Sequence, residues 1–123
     1  MKARGFTLVE LMVVMAIVAL LLSLALPRYF SHLESSRETV LRQDLAVMRD
    51  AIDKYHGDTG RYPDSLDVMV SSRYLRALPV DPITERADTW QLVAPSDGVA
   101  GAVYDIRSGA PGVARDGSSY VDW

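Results

Sequence analysis

The sequence predicts an α+β fold: a long N-terminal helix, membrane-spanning in its lower half, packed through its upper half on a small antiparallel sheet. Three observations carry this expectation. Phe6 to Leu26 is an apolar run broken only by Thr7, Glu10 and Ser23, an amphipathic stripe follows it, and short strand-like segments separated by turn residues fill the last third. The chain has 123 residues, which leaves a soluble part of about 90 residues with room for one modest core. Its formal net charge is −3 and its cations are scattered among acids. The basic face that non-specific nucleic-acid binding needs is missing, so no nucleic-acid partner is expected. There is no cysteine, which excludes disulfides and thiolate metal sites while leaving an oxidising compartment open.

At the helical rise the apolar run spans about 32 Å, enough for a hydrocarbon core of roughly 30 Å. Lys2 and Arg4 precede it, and the positive-inside bias then puts the N-terminus in the cytoplasm and the rest of the chain outside. Three readings fit such a start. A secretory signal would be cleaved after Ala25, following the small residues of Ser23-Leu24-Ala25. A plain signal anchor has the right length but leaves Glu10 without a partner, and an unpaired carboxylate in the bilayer is costly. The third reading takes Gly5-Phe6-Thr7-Leu8-Val9-Glu10 as one unit. An acid at that depth either stays hydrated at the cytoplasmic edge or takes a counter-charge, and a freed α-amino group, with a pKa of about 8, is mostly cationic at neutral pH.

That hexapeptide resembles the start of type IV pilins and pseudopilins. The resemblance implies removal of a basic leader, residues 1–5, by a prepilin peptidase cutting between Gly5 and Phe6. It further implies N-methylation of Phe6 and a glutamate, Glu10, at the fifth mature position. On this expectation Glu10 pairs with the Phe6 amine of an adjacent subunit during assembly.

Residues 6–26 are thus expected to be the transmembrane and assembly helix, and 27–123 the outward domain. Pro27 removes a backbone donor just past the run and bends or loosens a helix there. Leu41, Leu45, Met48, Ile52 and Tyr55 then recur at 4, 3, 4, 3 spacing, one apolar stripe of a helix over 27–56 with Gly57 as its stop. Arg37, Glu38, Arg42, Asp44, Arg49, Asp50, Asp53 and Lys54 read as its solvated faces. A loop and short helix follow over 57–78, capped by Asp64 or Ser65 and running to about Val70. The sheet is expected within 79–123, with strands at Thr89–Val93, Gly101–Arg107 and Ser119–Trp123 and a turn at Ala94–Gly98.

Three further stretches resemble the major pseudopilins of type II secretion within that family: Asp58-Thr59-Gly60-Arg61-Tyr62-Pro63, Leu78-Pro79-Val80-Asp81-Pro82, and Tyr104-Asp105-Ile106-Arg107-Ser108-Gly109. Tyr62, Leu78, Tyr104 and Ile106 equally suit the core and turns of a small domain. The resemblance implies a calcium site in the loop after the last stretch, where Asp116 and Asp122, helped by Ser118 and the carbonyls around Ser108, are the available oxygen donors. Pro111 stands where that family often has an acid, and Asp116-Gly117 is also a common tight-turn pair.

No catalytic constellation emerges. His32 and His56 are separated along the predicted helix and read as exposed polar residues, no glycine-rich phosphate loop is present, and Trp90 and Trp123 read as packing residues. The resemblance therefore implies a non-enzymatic subunit of a homo-oligomeric helical filament, anchored in bacterial inner-membrane lipid before assembly and periplasmic afterwards, driving export of folded proteins. Its implied partners are minor pseudopilins, the prepilin peptidase, and an inner-membrane assembly platform with a cytoplasmic ATPase. Two alternatives stay open: a pilin of a type IV pilus or DNA-uptake filament, and a secreted soluble binding domain.

Overall fold

The computed structural model describes residues 4–123. Lys2, part of the expected leader, lies outside the described residues. The element order is α1 (Leu8–Thr59), α2 (Leu66–Ser71), β1 (Gln91–Val93), β2 (Asp105–Arg107) and a terminal 3₁₀ turn (Tyr120–Asp122). Two compact units divide the chain, one up to Glu34 and one from Ser35 to Trp123.

In the first unit, every large apolar side chain from Leu8 to Leu26 is between 44 % and 74 % exposed. This stretch is long and apolar enough to cross a membrane. The helix continues through Pro27. The three polar interruptions of the run are each satisfied locally: Thr7 and Glu10 bond one another, and the Ser23 hydroxyl donates to the Ala19 carbonyl at 2.8 Å. Lipid offers no partners for polar groups, so this internal pairing suits the segment to it.

In the second unit, Leu41, Leu45, Met48, Ala51 and Ile52 of α1 are buried. They form one core with Met69, Leu75, Trp90, Val103, Ile106, Ala110, Ala114 and Tyr120. The expected stripe is therefore the core face, with Tyr55 at its half-buried edge. Gly57 is not the stop. The helix runs to Thr59, and Gly60 ends it at φ +74°, where the left-handed turn favours glycine. α2 starts as expected, the Ser65 hydroxyl accepting from the Val68 amide at 3.3 Å.

The sheet is smaller than expected. β1 and β2 pair antiparallel with Leu92 opposite Ile106, each only three residues long. The residues before β2 leave the ladder to serve another contact: the Ala102 and Val103 amides both donate to the Pro63 carbonyl, and Tyr62 donates to Ala100. Gly101 makes this approach possible, since a Cβ there would lie 2.2 Å from the Tyr62 oxygen. The expected strand at Ser119–Trp123 is instead a 3₁₀ turn, closed by bonds from the Asp122 amide to the Ser119 carbonyl and from Trp123 to Tyr120. Such a turn swings Tyr120 inward, where a strand would alternate it with its neighbours.

Candidate functional site

The N-terminal site is built on the start of α1. Residues 4–7 have no regular structure, and the Thr7 carbonyl accepts the first helical bond, from the Leu11 amide. Thr7 is therefore the N-cap. Its amide donates to Glu10 Oε2, and the Glu10 amide donates to Thr7 Oγ1, both at 3.1 Å. These reciprocal bonds make a capping box, which satisfies two of the amide donors that every helix start leaves open. Arg4, Gly5, Phe6 and Glu10 line one surface pocket. Gly5, Phe6 and Glu10, singled out in the sequence, are thus gathered in one place, with the Gly5-Phe6 bond outside the helix. Thr7 was not singled out there. Its signal was present, a threonine three residues before a glutamate at the head of an apolar run.

The C-terminal loop forms a second candidate site, held against α1. Val113 bridges Ser119, the Ala114 amide donates to Ser118, and Gly117, at φ +86°, donates back to Ala114. Asp116-Gly117 thus makes a tight turn. Asp116 Oδ1 accepts from both the amide and the hydroxyl of Ser118, while Oδ2 accepts from Arg42 at 3.2 Å. Those Ser118 bonds, with the Arg42 charge, hold the Asp116 carboxyl below the usual carboxylate range. The same guanidinium lies 4.0 Å from the centre of the Trp123 ring, and the indole N–H donates to the Ser118 hydroxyl at 2.7 Å.

Of the four oxygen donors expected for calcium, Asp116 and Ser118 meet. Ser108 does not join them: fully buried, it donates to Asp81 at 2.8 Å, tying the LPVDP loop to the end of β2. Asp122 is exposed and lines a groove with Arg42, Arg49 and Trp123. Among the described residues, no three His, Asp or Glu side chains gather as metal ligands. Calcium takes about six to eight oxygens, and a carboxylate already facing a guanidinium and a hydroxyl does not fit that shell.

Three side chains read as solvated surface turn out to be tethers. Glu38 Oε1 accepts from the Arg115 amide at 2.8 Å and the Tyr120 hydroxyl at 3.1 Å. Arg42 reaches Asp116 and Trp123. Arg49 bonds Asp105 at 2.8 Å and the Ile106 carbonyl at 2.9 Å, fixing β2 to the helix. Their 4- and 7-residue spacing puts them on one stripe beside the core, which was the available signal. His56 is also not simply exposed, since its ring stacks on Tyr62 at 4.2 Å, and Tyr62 meets Tyr104 edge-on.

Comparison with known proteins places these features in context. The family model for the prokaryotic N-terminal methylation motif matches residues 1–26. The chain is 31 % identical to type II secretion system core protein G of Klebsiella pneumoniae, over 99 % of this chain and 95 % of that protein. It is 33 % identical to the protein of the same name from Pseudomonas aeruginosa, over 98 % and 92 %. Fimbrial protein EcpC of Eikenella corrodens is 28 % identical over 94 % of this chain and 78 % of its own length. No solved structure matches the chain.

Proposed function

Because the chain belongs to the family of type II secretion system core protein G, the major pseudopilins, we propose that it is processed between Gly5 and Phe6 and stacks into a periplasmic filament that moves folded proteins outward. The observation that carries this reading is the Thr7–Glu10 capping box. It lies wholly on the C-terminal side of the Gly5-Phe6 bond, so cutting there leaves the helix start intact. The bond itself precedes the helix, in chain without regular structure, where a peptidase can bind it.

Chemically, the cut creates a cation beside a carboxylate that already serves as a cap. Glu10 Oε2 accepts one amide, and the carboxylate retains lone pairs for an incoming ammonium. The Phe6 amine of a neighbour then neutralises Glu10 inside an apolar bundle and sets the register of stacking. The exposed apolar side chains from Leu8 to Leu26 need lipid before assembly and neighbouring helices after it. Fully covering a side chain of this kind contributes about 1.5–3 kcal/mol. Lys2 and Arg4 favour a cytoplasmic N-terminus and hence an outward-facing second unit.

On this reading the subunit is structural, and the work of extraction comes from partners: the prepilin peptidase, minor pseudopilins, and an assembly platform with its ATPase. The likeness to a fimbrial protein favours a second reading, a pilin of a surface fibre. The secreted-domain reading has less support, because the Ala25-Leu26 bond lies inside α1. Mass spectrometry of the mature chain tests the processing step. A chain beginning at N-methylated Phe6 is expected, and one beginning at Leu26 refutes it. Loss of exoprotein release in a deletion strain is expected for the secretion filament, whereas retained release with loss of long surface fibres would establish the pilus instead.

A further inference from the structure

We propose that Arg42, with Glu38 one turn before it, closes the C-terminal loop as a built-in counter-ion, so that the loop needs no bound divalent cation. The two side chains lie at i and i+4 on α1, so they stand on one face of the helix a turn apart. They grip the loop from opposite electrical sides. Glu38 takes the Arg115 amide and the Tyr120 hydroxyl. Arg42 takes the Asp116 carboxylate and covers the face of Trp123.

A guanidinium suits this task because it is planar, permanently charged and weakly hydrated: its fork reaches a carboxylate while its face rests on an aromatic ring. The Asp116 oxygens that would otherwise bind a metal ion are turned toward this group and toward Ser118. Beneath the clamp lie Ala114 and Tyr120, both part of the buried core. Opening the loop would therefore expose apolar surface, and the clamp does what a cross-link would do in a chain without cysteine.

The test uses the full chain in detergent micelles, melted with near-ultraviolet circular dichroism in calcium chloride and again in EDTA. The expected result is one melting temperature in both conditions, with Arg42→Gln and Glu38→Ala each lowering it by a few degrees. Adding Asp116→Asn to Arg42→Gln lowers it little further, because the two changes remove the same contact. Arg42→Lys, which keeps the charge and loses the planar stacking, falls between wild type and Arg42→Gln. A wild-type melting temperature that rises with calcium, or an Arg42→Gln chain that melts with the wild type, would overturn the proposal.

Discussion

Glu10 has two tasks on the present reading, and they can be separated by substitution. In the single chain it completes a capping box through two bonds of 3.1 Å with Thr7. In the filament it meets a neighbour's amine. Glu10→Gln keeps an acceptor for the Thr7 amide, since glutamine serves at this position of a capping box, but it removes the charge. Thr7→Val does the reverse, taking away the hydroxyl cap and leaving the carboxylate. Loss of an N-cap costs about 1 kcal/mol, roughly a fivefold change in an equilibrium. An unpaired carboxylate costs about 3 kcal/mol at the bilayer centre, about 100-fold in an equilibrium, which is an upper bound for Glu10 four residues into the run. The ratio of sedimentable filament to membrane-inserted chain reads the pairing alone, because the cap is already made in the single chain and cancels. Glu10→Gln and Glu10→Ala are both expected to lower the ratio, by up to about 100-fold, whereas Thr7→Val leaves it nearly unchanged. A wild-type ratio from Glu10→Gln, or a Thr7→Val defect as deep as that of Glu10→Ala, would show that the glutamate is a cap and nothing more.

Three further expectations concern the second unit. Ser108→Ala removes the hydroxyl donor from Asp81, which is fully buried, so urea unfolding of the full chain in micelles should show a loss of about 1–3 kcal/mol. Gly109→Ala would place a Cβ 1.9 Å from the Thr89 carbonyl oxygen, backbone that cannot swing aside. The cost is about 1–3 kcal/mol or more, read as a lower melting temperature with weakened β1–β2 pairing. Asp44 has its carboxyl raised above the ordinary 3.8 by burial and then by the Asp81 charge. Its folded form therefore holds the proton more tightly than the unfolded chain. This contribution is fully present below pH 3.8 and fades as pH rises through the folded value. Asp44→Asn should raise stability at neutral pH and leave it nearly unchanged in strong acid. A melting curve in which the variant is less stable at neutral pH would contradict this.

The parts legible in the sequence are those set by neighbours along the chain. An apolar run of membrane length, a stripe at helical spacing, a serine cap at Ser65 and the grouping of Gly5, Phe6 and Glu10 each depend on residues within a turn or two of one another. Hence α1, α2 and the N-terminal site emerge from pattern alone. The stop of α1 shifted from Gly57 to Gly60 because both glycines permit a left-handed turn, and only the docking of the following loop selects one of them. The strands came out short for a similar reason: Pro63 takes the Ala102 and Val103 amides that a longer β2 would have used.

The C-terminal loop shows what tertiary structure alone decided. Arg42 and Asp116 are 74 residues apart in sequence, and Glu38 and Tyr120 are 82 apart. On a helix drawn by itself, Glu38, Arg42 and Arg49 are three charges among many. The sequence by itself determined a membrane-length helix headed by Gly5, Phe6 and Glu10, because the hydrophobic run and the i, i+3 cap act locally. The folded chain decided that Ser108 serves Asp81 and that Asp116 faces Arg42. Those pairings depend on which surfaces meet once the core of α1 is covered, and a charge finds its partner only after packing has brought the two within reach.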